Sequence, residues 1–313
     1  MVNRCPLSYE TLEPEATYSL HGLKRLHRKL EALEVFPYSA EEQRYEAAQR
    51  ASRMSIQGMQ PKVSALLRVS KGRFEMVDSG GRYIVKPQHF AFRSLPENED
   101  LTMRLAAACG IEVPVHGLVR CRDKSLSYVI RRFDREGRNS KLPLEDFAQL
   151  SGRNRKTKYD SSLEKVAGVV ERHCTFPLLE KLKLFRRTLF CFICGNEDMH
   201  LKNFSLIVRD DKVELSPAYD LLNTTLAMPG TLEELALPLN GKGRKLKRSD
   251  WLEYWATGRL GLPDKVVQQA LAQFENALPG WKELIERSFL ERDSKIAYEK
   301  LIDERMRRLN LSA

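Results

Sequence analysis

The stretch GNEDMHLKNFSLIV, residues 195–208, crowds Asp198, His200, Lys202 and Asn203 together and then runs straight into an apolar tail. A polar loop ahead of a hairpin is one reading; a catalytic loop is the other. Pairing FSLIVR with VELSPA about a turn at Asp211 and Lys212 puts Phe204, Leu206 and Val208 on one face with Val213, Leu215, Pro217 and Tyr219. The same register sets Arg209 opposite Glu214 and, continued, Asn203 opposite Asp220. An amide and a carboxylate held together are hard-oxygen ligands, suited to Mg²⁺ that carries substrate phosphates. Asp198, ahead of Asn203 and at the end of an apolar helical run, is then placed to accept a hydroxyl proton.

An Asp-x4-Asn spacing alone is common, and three companions give it weight. Lys86 ends the apolar strand RYIVKP, from which an ammonium reaches phosphates; a plain surface lysine is the alternative. SIQGMQPK, residues 55–62, is a polar turn in which Ser55 and Gly58 stand before a strand, able to bring backbone N–H groups to phosphates or simply to reverse the chain. The junction from Ile130 to Asp134 offers backbone to a base edge. Taken in order, loop, lysine, hinge, Asp-x4-Asn, hairpin and Asp follow the layout of a protein kinase.

Around these motifs the first half reads as mixed and the second as mostly helical. Leucines 20, 23, 26, 30 and 33 repeat at the spacing of one helical face. Strands follow over MQPKVSALLRVS and GRFEMVDSGGRYIVKP, with Gly80 and Gly81 as the hairpin turn between two of them. Ser94 and Glu97 fit a capping box that opens a helix through Ala108, ended by Gly110. SLSYVIRRF is a further strand and DREGRNSK a linker. The expectation is an α+β, bilobal chain with a cleft between a lobe of residues 1–134 and a helical lobe of residues 135–313.

With 42% hydrophobic and 30% charged residues among 313, the chain has an ordinary globular composition, and no apolar run approaches the roughly 18 residues of a membrane helix. The start, MVNRCPLSYETLEP, has no export pattern, so a cytoplasmic location is expected. Six scattered cysteines exclude a disulfide framework, and the Cys191–Cys194 pair lies in the apolar run RTLFCFICG, which suits buried thiols rather than a metal. The net charge of +10 gathers in residues 153–158 and 242–248, without interleaved aromatics. Solvated loops are the first reading of these runs; an acidic or RNA-bearing partner is the second.

GNEDMHLKNFSLI, YDLLNT at 219–224, VIRRFDR, SIQGMQPKVSALL and LPLEDFAQLSG together resemble the HipA-like serine/threonine kinases of bacterial toxin–antitoxin systems. The resemblance implies Asp198 as general base, Asn203 and Asp220 as Mg²⁺ ligands, and Lys86 as an ATP phosphate contact. It implies adenine held by backbone of Arg131 and Phe133, a nucleotide-side His200, and Ser55 of the glycine-rich loop as the site of autophosphorylation. Glu99 is a possible helix partner for the lysine. The short stretch ahead of the loop resembles HipT-type members, whose partners are HipS-like and HipB-like proteins, with DNA reached only through HipB. The family's targets are aminoacyl-tRNA synthetases, tryptophanyl or glutamyl. Open alternatives are a small-molecule phosphotransferase and a non-catalytic nucleic-acid-binding component of the same operon.

Overall fold

The computed structural model describes residues 2–50, 60–137, 140–230 and 233–311. The fold is α+β and divides into two compact units, one of residues 1–101, 114–139 and 286–290, the other of residues 102–113, 140–285 and 291–313.

In the first unit, α1 (Leu20–Leu26) and α2 (Ala40–Arg50) precede β1 (Val63–Arg68), β2 (Arg73–Met76) and β3 (Tyr83–Lys86). After α3 (Leu95–Ala108), which runs from the first unit into the second, come β4 (His116–Arg120) and β5 (Leu126–Arg131). The five strands form one antiparallel sheet in the order β2-β1-β3-β5-β4. Strand alternation sends Val63, Ala65, Tyr83, Val85 and Val129 into a core shared with Leu23, Leu26, Leu30 and Phe36. Lys86, one residue beyond Val85, points to the opposite face.

Three sequence expectations are corrected here. The leucine-spaced helix ends at Leu26, where His27 takes an extended φ of −158°; Leu30 and Leu33 reach the core from irregular backbone while Leu20 is exposed. Gly80 and Gly81 do not join a hairpin, because β2 and β3 lie on either side of β1. Their connection crosses β1 so closely that a Cβ on Gly81 would sit 1.8 Å from Ser64 Oγ, which is why glycine stands there. Ser94 has φ of +53° rather than the extended conformation of a capping serine, and the Glu97 carboxylate instead accepts from Gln88 Nε2 at 2.7 and 2.9 Å. Gly110, at φ +75°, does end α3.

Short β6 (Arg135–Glu136) and β7 (Ser140–Lys141) precede the strand β8 (Leu144–Asp146) and the single turn α4 (Phe147–Leu150) of the second unit. The second unit continues with α5 (Leu163–His173), α6 (Pro177–Cys194), β9 (Ser205–Arg209), β10 (Lys212–Leu215) and α7 (Thr224–Ala227). A π-helical segment, Asp250–Arg259, leads to α8 (Asp264–Arg287) and α9 (Arg292–Arg308). Proline at its first turn starts α6, and Gly195 at φ +70° stops it. Between them Leu184, Phe185, Leu189, Phe190, Phe192 and Ile193 are fully buried, each worth about 1.5–3 kcal/mol of apolar burial. α5 and α9 pack against this helix. Cys191 and Cys194 are buried within it, and burial pushes the Cys191 thiol up to about 12, so both behave as small apolar groups.

The β9–β10 hairpin is the fourth correction. Lys212 pairs with Arg209, Val213 with Val208 and Leu215 with Leu206, so the turn is Asp210–Asp211, two residues out of the expected register. Both aspartates are left-handed, at φ +46° and +58°, which is the two-residue turn whose twist matches the strands. A shift of two preserves the faces, so Leu206 and Leu215 remain buried, and Arg209 still reaches Glu214 at 3.2 Å, now diagonally. It does place Asn203 out of line with Asp220. β8 adds a third strand on the other edge of β9. Among the described residues no helix is long and apolar enough to cross a membrane.

Candidate active site

In the first unit, Lys86 is buried and its Nζ donates to Glu99 Oε1 on α3 at 2.6 Å, the two side chains 6% and 2% exposed. The ammonium also lies 5.7 Å from the Tyr128 ring centre. Beside this pair, Asp100 accepts from buried His116 at 2.8 Å. A lysine so deeply placed and so closely paired is not a surface strand-end lysine. At the junction after β5, Arg131 N–H donates to the Val115 carbonyl and Arg132 N–H to the Arg82 carbonyl. Any base contact from Arg131 therefore has to come from its carbonyl. Arg132 grips Asp134 with two bonds, at 3.0 and 2.8 Å; burial alone would raise that carboxyl, but the guanidinium holds it below the usual carboxylate range. Phe133 stands between them. Ser55 and Gly58 lie outside the described residues.

In the second unit, Gly195 turns the chain out of α6 into the loop. Its carbonyl accepts from Thr224 N and Thr225 N, and Thr224 Oγ1 accepts from Glu197 N at 2.7 Å, tying the loop to the segment after Asp220. Asn203 Nδ2 donates to the Asp198 carbonyl at 3.0 Å and His200 N to the same carbonyl at 2.8 Å, which fixes the backbone of the loop. Asp198 Oδ1 accepts from Tyr159 at 2.5 Å. Lys202 turns away to pair with Asp146 at 2.6 Å. Asp220 is left-handed at φ +58°, a conformation Asp tolerates and one often found where a side chain must be aimed.

His200 is 6% exposed, and its Nε2 accepts from Lys158 Nζ at 2.6 Å. The ring proton is therefore on Nδ1, which has no partner among the described residues and is left as a donor for a ligand. Burial is the main reason its pKa lies below the ordinary value; Lys158 adds to this, while Asp198 and Asp220 oppose it. The charges of Asp198 and Asp220 also act together on Lys158, whose own pKa is lowered by burial. Both carboxylates thus lie within electrostatic reach of His200 and Lys158 despite the shifted hairpin register. A lowered folded-state pKa means the unfolded chain takes up the proton first on acidification. The stability this site contributes is full above about pH 6.5 and is lost as pH falls through the lowered folded value. His200→Gln should flatten that acid-side decline in a series of urea titrations.

Asn203 and Asp220 carry the oxygen chemistry that Mg²⁺ takes. Because Asn203 spends its amide nitrogen on the loop, the oxygen Oδ1 is what remains, and Asp220 supplies a carboxylate. Among the described residues no group of three or more His, Cys, Asp or Glu is arranged to hold a metal alone. Two oxygen ligands suit an ion that arrives with phosphates and keeps several waters.

Gly195 leaves no room for a side chain. A Cβ there would lie 2.5 Å from Leu301 Cδ2 and 2.7 Å from Thr225 Oγ1, in a left-handed conformation besides. Gly195→Ala should cost about 2 kcal/mol or more in denaturant unfolding and loosen the Asp198 loop.

A model of the HipA-like C-terminal domain matches residues 54–281. The chain belongs to the HipA-like family. A Haemophilus influenzae protein provisionally named a kinase is 30% identical over 284 residues, 81% of each chain. A Shewanella oneidensis protein named serine/threonine-protein kinase toxin HipA is 27% identical over 194 residues, which are 56% of this chain and 44% of that one. Among solved structures, a chain from the Shewanella oneidensis complex of HipA, HipB and operator DNA matches with a TM-score of 0.70 at 22% identity, covering 96% of this chain and 80% of its own. The Helicobacter pylori proinflammatory kinase CtkA matches at 0.53 and 14% identity, over 73% and 88%. The HipA-like fold is thus shared with proteins whose names include the word kinase.

Within this HipA-like chain, local pattern and resemblance single out Asp198, His200, Asn203, Asp220 and Lys86 as candidates. Glu99 was only a possibility, since its partner Lys86 stands across a loop. Lys158 and Tyr159 were missed: they sit at the end of the basic run RNRKTKY, which reads as solvated surface.

Proposed function

We propose that this HipA-like protein is an ATP- and Mg²⁺-dependent serine/threonine protein kinase acting as the toxin of a toxin–antitoxin system. The observation that carries the proposal is the loop in which Asn203 clamps the Asp198 carbonyl, leaving a carboxylate and an amide oxygen for a hydroxyl acceptor and a metal. In the proposed reaction the acceptor oxygen bonds to the γ-phosphorus, the bond to the ADP oxygen breaks, and the hydroxyl proton passes to Asp198. Mg²⁺ held by Asn203 and Asp220 would neutralise charge on the phosphates. Lys86, oriented by Glu99, contacts phosphate oxygens; His200 Nδ1 donates to the nucleotide; the Arg131 carbonyl and Phe133 backbone hold adenine.

The finer assignments rest on family resemblance. They are a serine of a tryptophanyl- or glutamyl-tRNA synthetase as acceptor, with translation inhibited as the result, and Ser55 as the site of self-modification. HipS-like and HipB-like proteins are the proposed antitoxin partners, acting in the cytoplasm. The named HipA–HipB–DNA complex supports a HipB-like partner. Labelled ATP added with the protein to a bacterial lysate tests the assignment. A labelled band of synthetase size supports it, label in small solutes favours a small-molecule phosphotransferase, and no label removes the kinase reading. Mass spectrometry after incubation with Mg²⁺–ATP should find phosphate on Ser55 in the active protein and none in Asp198→Asn.

A further inference from the structure

Tyr159 is 45% exposed on the loop ahead of α5, yet its hydroxyl lies 2.5 Å from Asp198 Oδ1. The contact spans 39 residues of chain and is the one side-chain hydrogen bond that the Asp198 carboxylate makes among the described residues. The tyrosine and its neighbour Lys158 make three further contacts. Its ring meets the His200 ring edge-on at 5.2 Å, Lys158 Nζ stands 4.8 Å over its centre, and the Lys158 carbonyl accepts from Leu201 N at 3.2 Å. Lys158 and Tyr159 therefore bracket the loop from Asp198 to Leu201 by both backbone and side chain.

A carboxylate on a loop rotates freely about its χ angles unless something holds it. Here the backbone is held by Asn203 and the side chain by Tyr159. We propose that Tyr159 is a positioning residue for phosphoryl transfer, holding one oxygen of Asp198 so that the other faces the acceptor hydroxyl. The inference rests on the kinase reading of the same site. A hydroxyl suits the task because it donates to the carboxylate without neutralising it. The phenol stays protonated, since burial first and then the hydrogen bond and charge of Asp198 raise its pKa. Orientation of a general base acts on the chemical step and not on nucleotide binding.

The test uses the full chain, with labelled ATP and two acceptors, the chain itself and dephosphorylated casein. Tyr159→Phe keeps the ring and its packing and should lower kcat by about tenfold or more, with the KM for ATP and the thermal midpoint unchanged. Replacement of Tyr159 by 3-fluorotyrosine, which keeps the hydroxyl, should retain most of the activity. The same label gives a readout independent of turnover. Its ¹⁹F resonance should titrate at lower pH when Asp198→Asn removes the facing charge, with Lys158 and His200 still present. An unmoved titration overturns the proposal whatever the activity. A moved titration with Tyr159→Phe as fast as wild type, or faster, also overturns it, and marks the hydroxyl as an occupant that substrate displaces. If wild type labels neither acceptor, the kinase reading fails and the positioning role falls with it, even where the titration still reports the contact.

Discussion

Asp198→Asn should lower phosphoryl transfer by about 10³-fold while leaving the affinity for Mg²⁺–ATP close to wild type. The substitution removes the proton acceptor but keeps an isosteric side chain whose amide oxygen can still accept from Tyr159, and the contacts that fix the loop backbone run through the Asp198 carbonyl. Asp220→Asn should behave differently. It removes a charged oxygen from the proposed metal pair, so nucleotide binding should weaken about ten- to a hundredfold in a calorimetric titration with Mg²⁺ present. Equal losses of nucleotide affinity in the two variants would show that the division between proton acceptor and metal ligand is wrong. Expression of wild type should arrest bacterial growth, and expression of either variant should not.

Lys86→Ala should cost activity and stability together, for separate reasons. Loss of the ammonium removes a phosphate contact that a methyl group cannot replace. It also leaves the Glu99 carboxylate, 2% exposed, without the cation 2.6 Å away, and breaking a buried pair in this way costs about 3–5 kcal/mol. Adding Glu99→Gln to Lys86→Ala removes the charge that has lost this cation. The double variant should therefore recover much of the unfolding free energy and none of the phosphoryl transfer. Recovery of neither would mean that the lysine acts through packing against Tyr128 and not through its charge.

The chain's local structure was legible in its sequence. The apolar run RTLFCFICG ahead of the loop reads as a buried helix because periodicity is short-range, and it forms the end of α6. Asp198, His200 and Asn203 follow it within one loop, and the Asn203 clamp on the Asp198 carbonyl needs only a turn of 3-10 helix between them. The faces of the β9–β10 hairpin were legible too, since alternation survives any shift of two residues. Its register was not, because Asp210 and Asp211 both had to adopt left-handed backbone, and the sequence alone allows the turn one residue later.

Longer-range relations were decided by tertiary structure. That β1 separates β2 from β3, that HGLVR at 116–120 forms an edge strand, and that Leu144–Asp146 extends the hairpin sheet are choices of partner, which propensity does not encode. The pairing of Lys86 with Glu99 depends on the angle at which α3 leaves the loop after β3. The contact of Tyr159 with Asp198 depends on how the segment between α4 and α5 closes over the loop after α6. Residue types and their local spacing determine what chemistry a segment can perform. Which groups meet is set by loop closure and by packing across the core, where many arrangements of similar local energy compete and only burial of the whole selects one.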